Sequence, residues 1–252
     1  MDIIKASNKF GLAIKALVVV GSLTGSAYAA LITPAYDTFG PLPEANWGGS
    51  GIPNDAVAIS EYTTQICTIR CRDLNTISLG LSSHGRYENL LESNDGAGTF
   101  YASAGSNVPP SSSLEGATWN FNFFVNIVGD YSLNNYDFNL YYDFDPVVGN
   151  AQATHGVINL NMLFQDGVVQ GSQNLMFGFL SDDLLPFITS PAGSFNPDVT
   201  GEYTFALTAS DTNGTELTRS AMRVVVNAVD VPVPASLSLM ALGLFLLRRR
   251  IR

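Results

Sequence analysis

The strongest constraint on this chain is a run in which apolar and polar side chains alternate one by one. In Trp119-Asn-Phe-Asn-Phe-Phe-Val-Asn-Ile127, the odd positions Trp119, Phe121, Phe123, Val125 and Ile127 form one apolar face. Asn120, Asn122 and Asn126 lie opposite, interrupted by Phe124. Successive side chains of a strand point to opposite faces, so this period of two predicts a strand with one face in a core. Tyr136–Asp145 repeats the pattern, with Phe138, Leu140, Tyr142 and Phe144 facing one way and Asp137, Asn139, Tyr141, Asp143 and Asp145 the other. Val157–Phe164 alternates again, setting Ile158, Leu160, Met162 and Phe164 against Asn159 and Asn161. Leu175–Leu180, Glu202–Ala209 and Leu217–Val226 read as further strands. The last two flank Asp211-Thr-Asn-Gly214, a turn signal that predicts a hairpin. Ala56–Thr63, Thr76–Leu81 and Thr99–Ser103 are shorter candidates, and the polar run Ser82–Gly98 reads as a loop. With no amphipathic helix period between strands, the expectation is an all-β chain. It would be a single β-sandwich of immunoglobulin-like or jelly-roll type over 56–228, preceded by an irregular, proline- and glycine-punctuated lead-in over 30–55.

The two ends read differently from the body. Lys5 and Lys9 begin a basic segment, an apolar run follows at Ala16–Leu23, and the segment closes on Ala27-Tyr-Ala29. Small residues at Ala27 and Ala29 predict a secretory signal peptide over 1–29, cut before Ala30, with the Sec translocon and a signal peptidase as its partners. At the other end, 229–252 holds Val231-Pro232-Val233-Pro234, thirteen uncharged residues from Ala235 to Leu247, then Arg248, Arg249, Arg250 and Arg252. At about 1.5 Å per residue the uncharged stretch reaches about 20 Å against a hydrocarbon core of about 30 Å, a marginal span. The arginines orient it with its end in the cytoplasm. A helix packed on the domain would need a polar stripe, and the stretch offers only Ser236 and Ser238.

Lead-in, short apolar stretch and terminal arginines together resemble the PEP-CTERM sorting signal of exopolysaccharide-producing Gram-negative bacteria. The resemblance covers the tail alone, and Val233 stands where that family carries its eponymous glutamate. It implies an inner-membrane-anchored intermediate, cut near the Pro-x-Pro by an exosortase-type enzyme. The body would then go to the outer surface or the extracellular matrix, in the company of exopolysaccharide.

Charge narrows the partners. The chain carries a net charge of −10, but its three lysines lie in the signal and four of its arginines in the tail. The body keeps Arg70, Arg72, Arg86, Arg219 and Arg223 against 21 acids, a net of about −16. Such a surface repels nucleic acid and excludes it as a partner, while favouring solubility and divalent cations.

Candidate chemistry is sparse. Cys67 and Cys71 form a plausible disulfide in an oxidising compartment. On one straight strand they would sit about 13 Å apart, so the bond requires a turn between them. Asp143, Asp145 and Asn150 are oxygen ligands at a strand end running into a loop, which suits Ca²⁺; a solvated polar face is the alternative. Asp182-Asp183 is a second acidic pair, read as a turn or helix start. Tyr141 is expected on the polar face, where an aromatic beside amides can stack a sugar ring or simply pack across strands. His84 and His155 are the only histidines, and no Gly-x-Ser-x-Gly elbow accompanies them. Nothing selects a glycosidase pair from 21 acids. The reading is an exported surface or matrix protein with a non-enzymatic structural or adhesive role. Its alternatives are a calcium-dependent carbohydrate-binding module and a secreted polysaccharide hydrolase.

Overall fold

The computed structural model describes residues 30–65, 74–87, 89–108, 114–129 and 135–228. The expectations for Ala27 and Ala29, for Cys67 and Cys71, and for the tail from Val231 to Arg252 fall outside the described residues. Strands are numbered in chain order. One sheet runs β1 (Thr38–Gly40), β2 (Val57–Gln65), β3 (Leu74–Gly85), β8 (Trp119–Val128), β11 (Val168–Gln173), with every neighbour antiparallel. A second runs β12 (Ile188–Thr189), β10 (Gly156–Asn159), β9 (Tyr136–Tyr142), β13 (Gly201–Asp211), β14 (Glu216–Asn227), β5 (Thr99–Ser103), β4 (Ser93–Asn94). In it β14 and β5 are parallel and the other neighbours antiparallel. β6 (Ser106–Asn107) and β7 (Gly116–Ala117) add a small ladder. The chain is all-β, and no helix among the described residues is long and apolar enough to cross a membrane.

Alternation builds the core as expected. Ile77, Leu79 and Leu81 of β3 and Trp119, Phe121, Phe123 and Val125 of β8 share one buried cluster with Phe138, Leu140 and Tyr142 of β9 and Tyr203, Phe205 and Leu207 of β13. The two sheets meet through aromatic rings. Phe121 stacks on Phe205 with centroids 4.7 Å apart, and Trp119 meets Tyr203 at 5.8 Å and Phe205 edge-on at 6.1 Å. Such pairs contribute about 0.5–1.5 kcal/mol each beyond the burial of their surface. At one margin of this core, the Ser60 and Ser220 hydroxyls donate across the sheets to the carbonyls of Arg219 and Ala58, at 2.6 and 2.7 Å. The expected hairpin joins β13 to β14, with Asp211 Oδ1 accepting from the backbone N–H of Asn213 and Thr215 and Gly214 at φ +81°.

The irregular lead-in is a strap docked on both outer faces. Ile32 packs on Ala206 and Ala221 outside the second sheet, and Ala35 exchanges backbone hydrogen bonds with Ala221. Further on, Leu42, Ala45 and Trp47 cover Val57, Ile59 and Phe124 outside the first sheet. Trp47 sits at φ +57°, donates Nε1–H to the Pro53 carbonyl, and with Asn46 offers its backbone N–H to Gln170 Oε1. This corrects the one-sided reading of β8, whose Asn122 and Phe124 are buried as fully as the core face.

Three other readings change. Val157–Phe164 is a strand only to Asn159, because Asn159 Oδ1 accepts from Asn161 N and Asn161 Oδ1 from Phe138 N. These bonds curl the chain into a 3₁₀ turn at Asn161–Leu163 that leaves Met162 75% exposed. Leu175–Leu180 is a turn and a short 3₁₀ helix. The buried Asn174 amide bonds Ala117 N, Ala117 O and Trp119 O where a strand backbone would have continued. Phe177 leaves that turn to stack against the buried Arg86 guanidinium, which also lies over Tyr87. The polar loop Ser82–Gly98 begins as strand, since Ser82 and Ser83 turn their hydroxyls onto the Ala56 and Asn120 carbonyls and so bury without an apolar pattern.

His84 closes β3 at 2% exposure. Its Nδ1 and both amide atoms of Asn122 are buried without a well-formed hydrogen bond among the described residues, though Asn122 lies close enough to act on the ring. Burial pushes the imidazole down to about 4, against a smaller opposing pull from Asn122. The unfolded chain therefore binds a proton between pH 6.5 and 4 that the folded chain refuses. Stability falls as pH drops through that window, by roughly 3 kcal/mol in total. Glu92, pushed up to about 7 by burial, has the opposite sign and destabilises as pH rises from 4.5 to 7. Comparing urea unfolding of wild type and His84→Gln isolates the histidine. The variant should lose the acid-side slope, and equal slopes would contradict a buried neutral ring.

Candidate functional site

The β9–β10 connection brings the chemistry-bearing residues of the middle of the chain to one corner. β9 delivers Tyr142 to the core and Asp143 to its end. Asp143-Phe-Asp-Pro-Val-Val-Gly-Asn150 then loops out, and a 3₁₀ turn at Gln152–Thr154 returns through His155 to β10. The loop lies tight on β13. Pro146 accepts from Glu202 N at 3.1 Å, and a Cβ at Gly201 would stand 2.4 Å from the Pro146 carbonyl oxygen, so only glycine fits there.

Asp143, Asp145 and Asn150, the expected calcium trio, do come together. Asp143 is 1% exposed, its Oδ1 accepts from Asp145 N at 2.9 Å, and its Oδ2 accepts from Asn150 Nδ2 at 3.0 Å. The same Asn150 amide donates to the Asp145 carbonyl, and Asp145 Oδ1 accepts from Val147 N. Asn150 thus turns its nitrogen, not its oxygen, toward the carboxylate, and the trio's hydrogen-bonding capacity goes into holding the loop's shape.

His155 joins this network. A carbonyl only accepts, so Nδ1, 3.0 Å from Ala151 O, carries a proton, and Nε2 lies in hydrogen-bond contact with the Thr204 hydroxyl at 2.7 Å. Asp143 Oδ2 lies 3.4 Å from that hydroxyl and 3.6 Å from Nε2. Histidine, hydroxyl and carboxylate are therefore in contact, but Asp143 and Thr204 meet at the same ring nitrogen and Thr204 is 2% exposed. A nucleophilic relay needs an open hydroxyl and the carboxylate on the opposite nitrogen. This geometry suits a buried tether between loop and sheet. Nearby, burial together with the charges of Asp143 and Asp145 pushes the Tyr203 phenol up to about 12.

An open cleft of about 490 Å³ lies against the outer side of this corner. Tyr141, half-buried as the alternation of β9 predicts, Gln152, His155 and Val157 line it, with Arg219 of β14 and Ala30 of the strap closing its sides. Gln152 N donates to Ala30 O at 2.8 Å, so strap and turn hold one another at the rim. Arg219 is fixed by a bidentate pair with Glu216, at 2.7 Å through Nε and 2.5 Å through Nη2. Asp182 and Asp183 lie in a separate turn, capping Leu184 N and Ser190 N, and the Ser190 N–H holds the Asp183 carboxyl below its usual range.

Sequence spacing finds Asp143, Asp145, Asn150 and Tyr141, which lie within ten residues of one another. It misses Thr204, Arg219 and Ala30, which arrive from distant segments and carry no local signal. The chain has no significant match among protein-family models, curated proteins or solved structures.

Removing the Asp143 carboxylate strands Asp145 N without its acceptor and leaves the Asn150 amide only the Asp145 carbonyl. Asp143→Ala should cost about 2–4 kcal/mol. Asn150→Ala, which leaves the carboxylate in place, should cost less. Thermal unfolding of the two variants checks this order, and an unchanged melting temperature for Asp143→Ala would show that the network is not structural.

Proposed function

We propose that the chain is an exported, non-enzymatic β-sandwich with a structural or adhesive role. Its tail would hold it at the inner membrane, and an exosortase-type system would sort it to the outer surface or the extracellular matrix. The observation that carries this reading is that the buried core of the described residues, from Ile32 to Val226, lies wholly between the two proposed cuts. Ala30 is already hydrogen-bonded to Gln152, and β14 ends at Asn227, just short of the tail. Cuts before Ala30 and near Pro232–Pro234 would therefore leave every one of those core residues in the released body. The sandwich assignment is supported by two sheets sharing one aromatic core. Whether its strand order is immunoglobulin-like or of jelly-roll type is a finer division on which the proposal does not depend.

Carbohydrate binding is the second reading, favoured by a half-buried tyrosine in an amide-bearing cleft. Its calcium half would require Asn150 to turn its oxygen inward. The hydrolase reading would require carboxylates in an open cleft, and Asp143 is enclosed.

Mass spectrometry of the protein made by its native host and recovered from outside the cells tests the proposal. The expected species starts at Ala30, stops near Pro232–Pro234 and joins Cys67 to Cys71. An intact terminus at Arg252 would rule out sorting by cleavage. Turnover of a polysaccharide panel by the purified protein, abolished by a single Asp or Glu substitution, would instead establish the hydrolase.

A further inference from the structure

We propose that the cleft between Tyr141, Gln152 and Arg219 is a subsite for one ring of a neutral saccharide. The inference deepens the adhesive reading by giving it a ligand class and a place. At about 490 Å³ the cleft falls within the usual range for small-molecule sites, about 300–1,000 Å³.

Its walls are prepared for a ring with one apolar face and a hydroxyl edge. Tyr141 packs from below against Ile32, Ala206 and Ala221, so its aromatic face is held in place before any ligand arrives. Val157 extends the apolar floor. Gln152 is fixed through its backbone, its N–H on Ala30 O and its carbonyl accepting from His155 N, while its side-chain amide makes no hydrogen bond among the described residues. That amide offers a donor and an acceptor to hydroxyls. Arg219 spends Nε and Nη2 on Glu216, which leaves the Nη1–H groups outside that pair. A rigid aromatic plate with preset polar groups loses little conformational entropy on binding.

Charge selects the class. Glu216 neutralises Arg219, His155 engages both its ring nitrogens internally, and the body as a whole is strongly acidic. A polyanion entering here would meet repulsion with no uncompensated cation among the described lining residues. A neutral hydroxylated ring meets none.

The test uses the full chain in detergent, screened against an array of neutral oligosaccharides of glucose, galactose, mannose and N-acetylglucosamine, with a hexagalacturonate as the anionic arm. Any binder is then titrated by calorimetry. Saturable binding to a neutral member is expected. Tyr141→Ala should weaken it at least about tenfold, Tyr141→Phe should hold it within about threefold, and Gln152→Ala should weaken it several-fold. Tyr101→Ala, an exposed tyrosine on β5 three strands from Tyr141, should leave it unchanged. Because Tyr141 also supports the strap, Tyr141→Phe and Gln152→Ala carry the test if Tyr141→Ala unfolds. No binding across the neutral array, preference for hexagalacturonate, or binding indifferent to Gln152→Ala would each overturn the proposal. Sugar binding by a protein whose C-terminus is found intact would leave this inference standing while the sorting reading fell.

Discussion

The structure depends first on the aromatic contact between its sheets. Trp119, Phe121, Tyr203 and Phe205 come from β8 and β13, strands far apart in sequence, and no local element could bury those rings alone. Large planar side chains hold two twisted sheets at a working separation and tolerate the twist through tilted and edge-on contacts. Once the rings meet, the serine bridges from β2 and β14 fall into reach, and the corner carrying Asp143 and His155 is placed against β13.

The second organising fact is that both sheets are covered on their outer faces as well. The covering is economical, since one strap of about twenty-five residues reaches Ala206 and Ala221 on one side and Phe124 on the other. Polar side chains are buried as well: Ser82, His84, Asn122, Thr204 and Asn174 all lie at 2% exposure or less. Ser82 and Asn174 bond to backbone, and Thr204 bonds to His155 and Asp143, as buried polar groups require. His84 and Asn122 are the places where that satisfaction is incomplete, and there the fold becomes sensitive to acid.

This double covering explains what could and could not be read from the sequence. The strict alternation of β8 and β9, and the Asp-Thr-Asn-Gly turn before β14, carried their structure locally and were legible. The outer burial of Asn122 was not, because an asparagine facing another chain segment looks the same in sequence as one facing water. Val157–Phe164 misled because two asparagine side chains broke an alternation that still looked regular. Leu175–Leu180 misled because its leucines plug the core from a turn. β11 was overlooked because Val-Val-Gln-Gly-Ser-Gln carries too little apolar character to announce a strand that lives by pairing with β8. At the corner site the acids and Tyr141 were visible within one stretch. The hydroxyl, the guanidinium and the rim came from elsewhere, and only the fold assembles them.

β14 has a mechanical implication. The last strand of the described residues lies inside its sheet, bonded antiparallel to β13 along most of its length and parallel to β5 over its final residues, Arg223–Asn227. Tension applied through whatever follows Asn227 would act along the strand axis and load both rows of hydrogen bonds in shear, so that many must fail together. A body hung from an edge strand would peel open one bond at a time. Loaded from that end, this strand would hold until the bonds of both rows failed together.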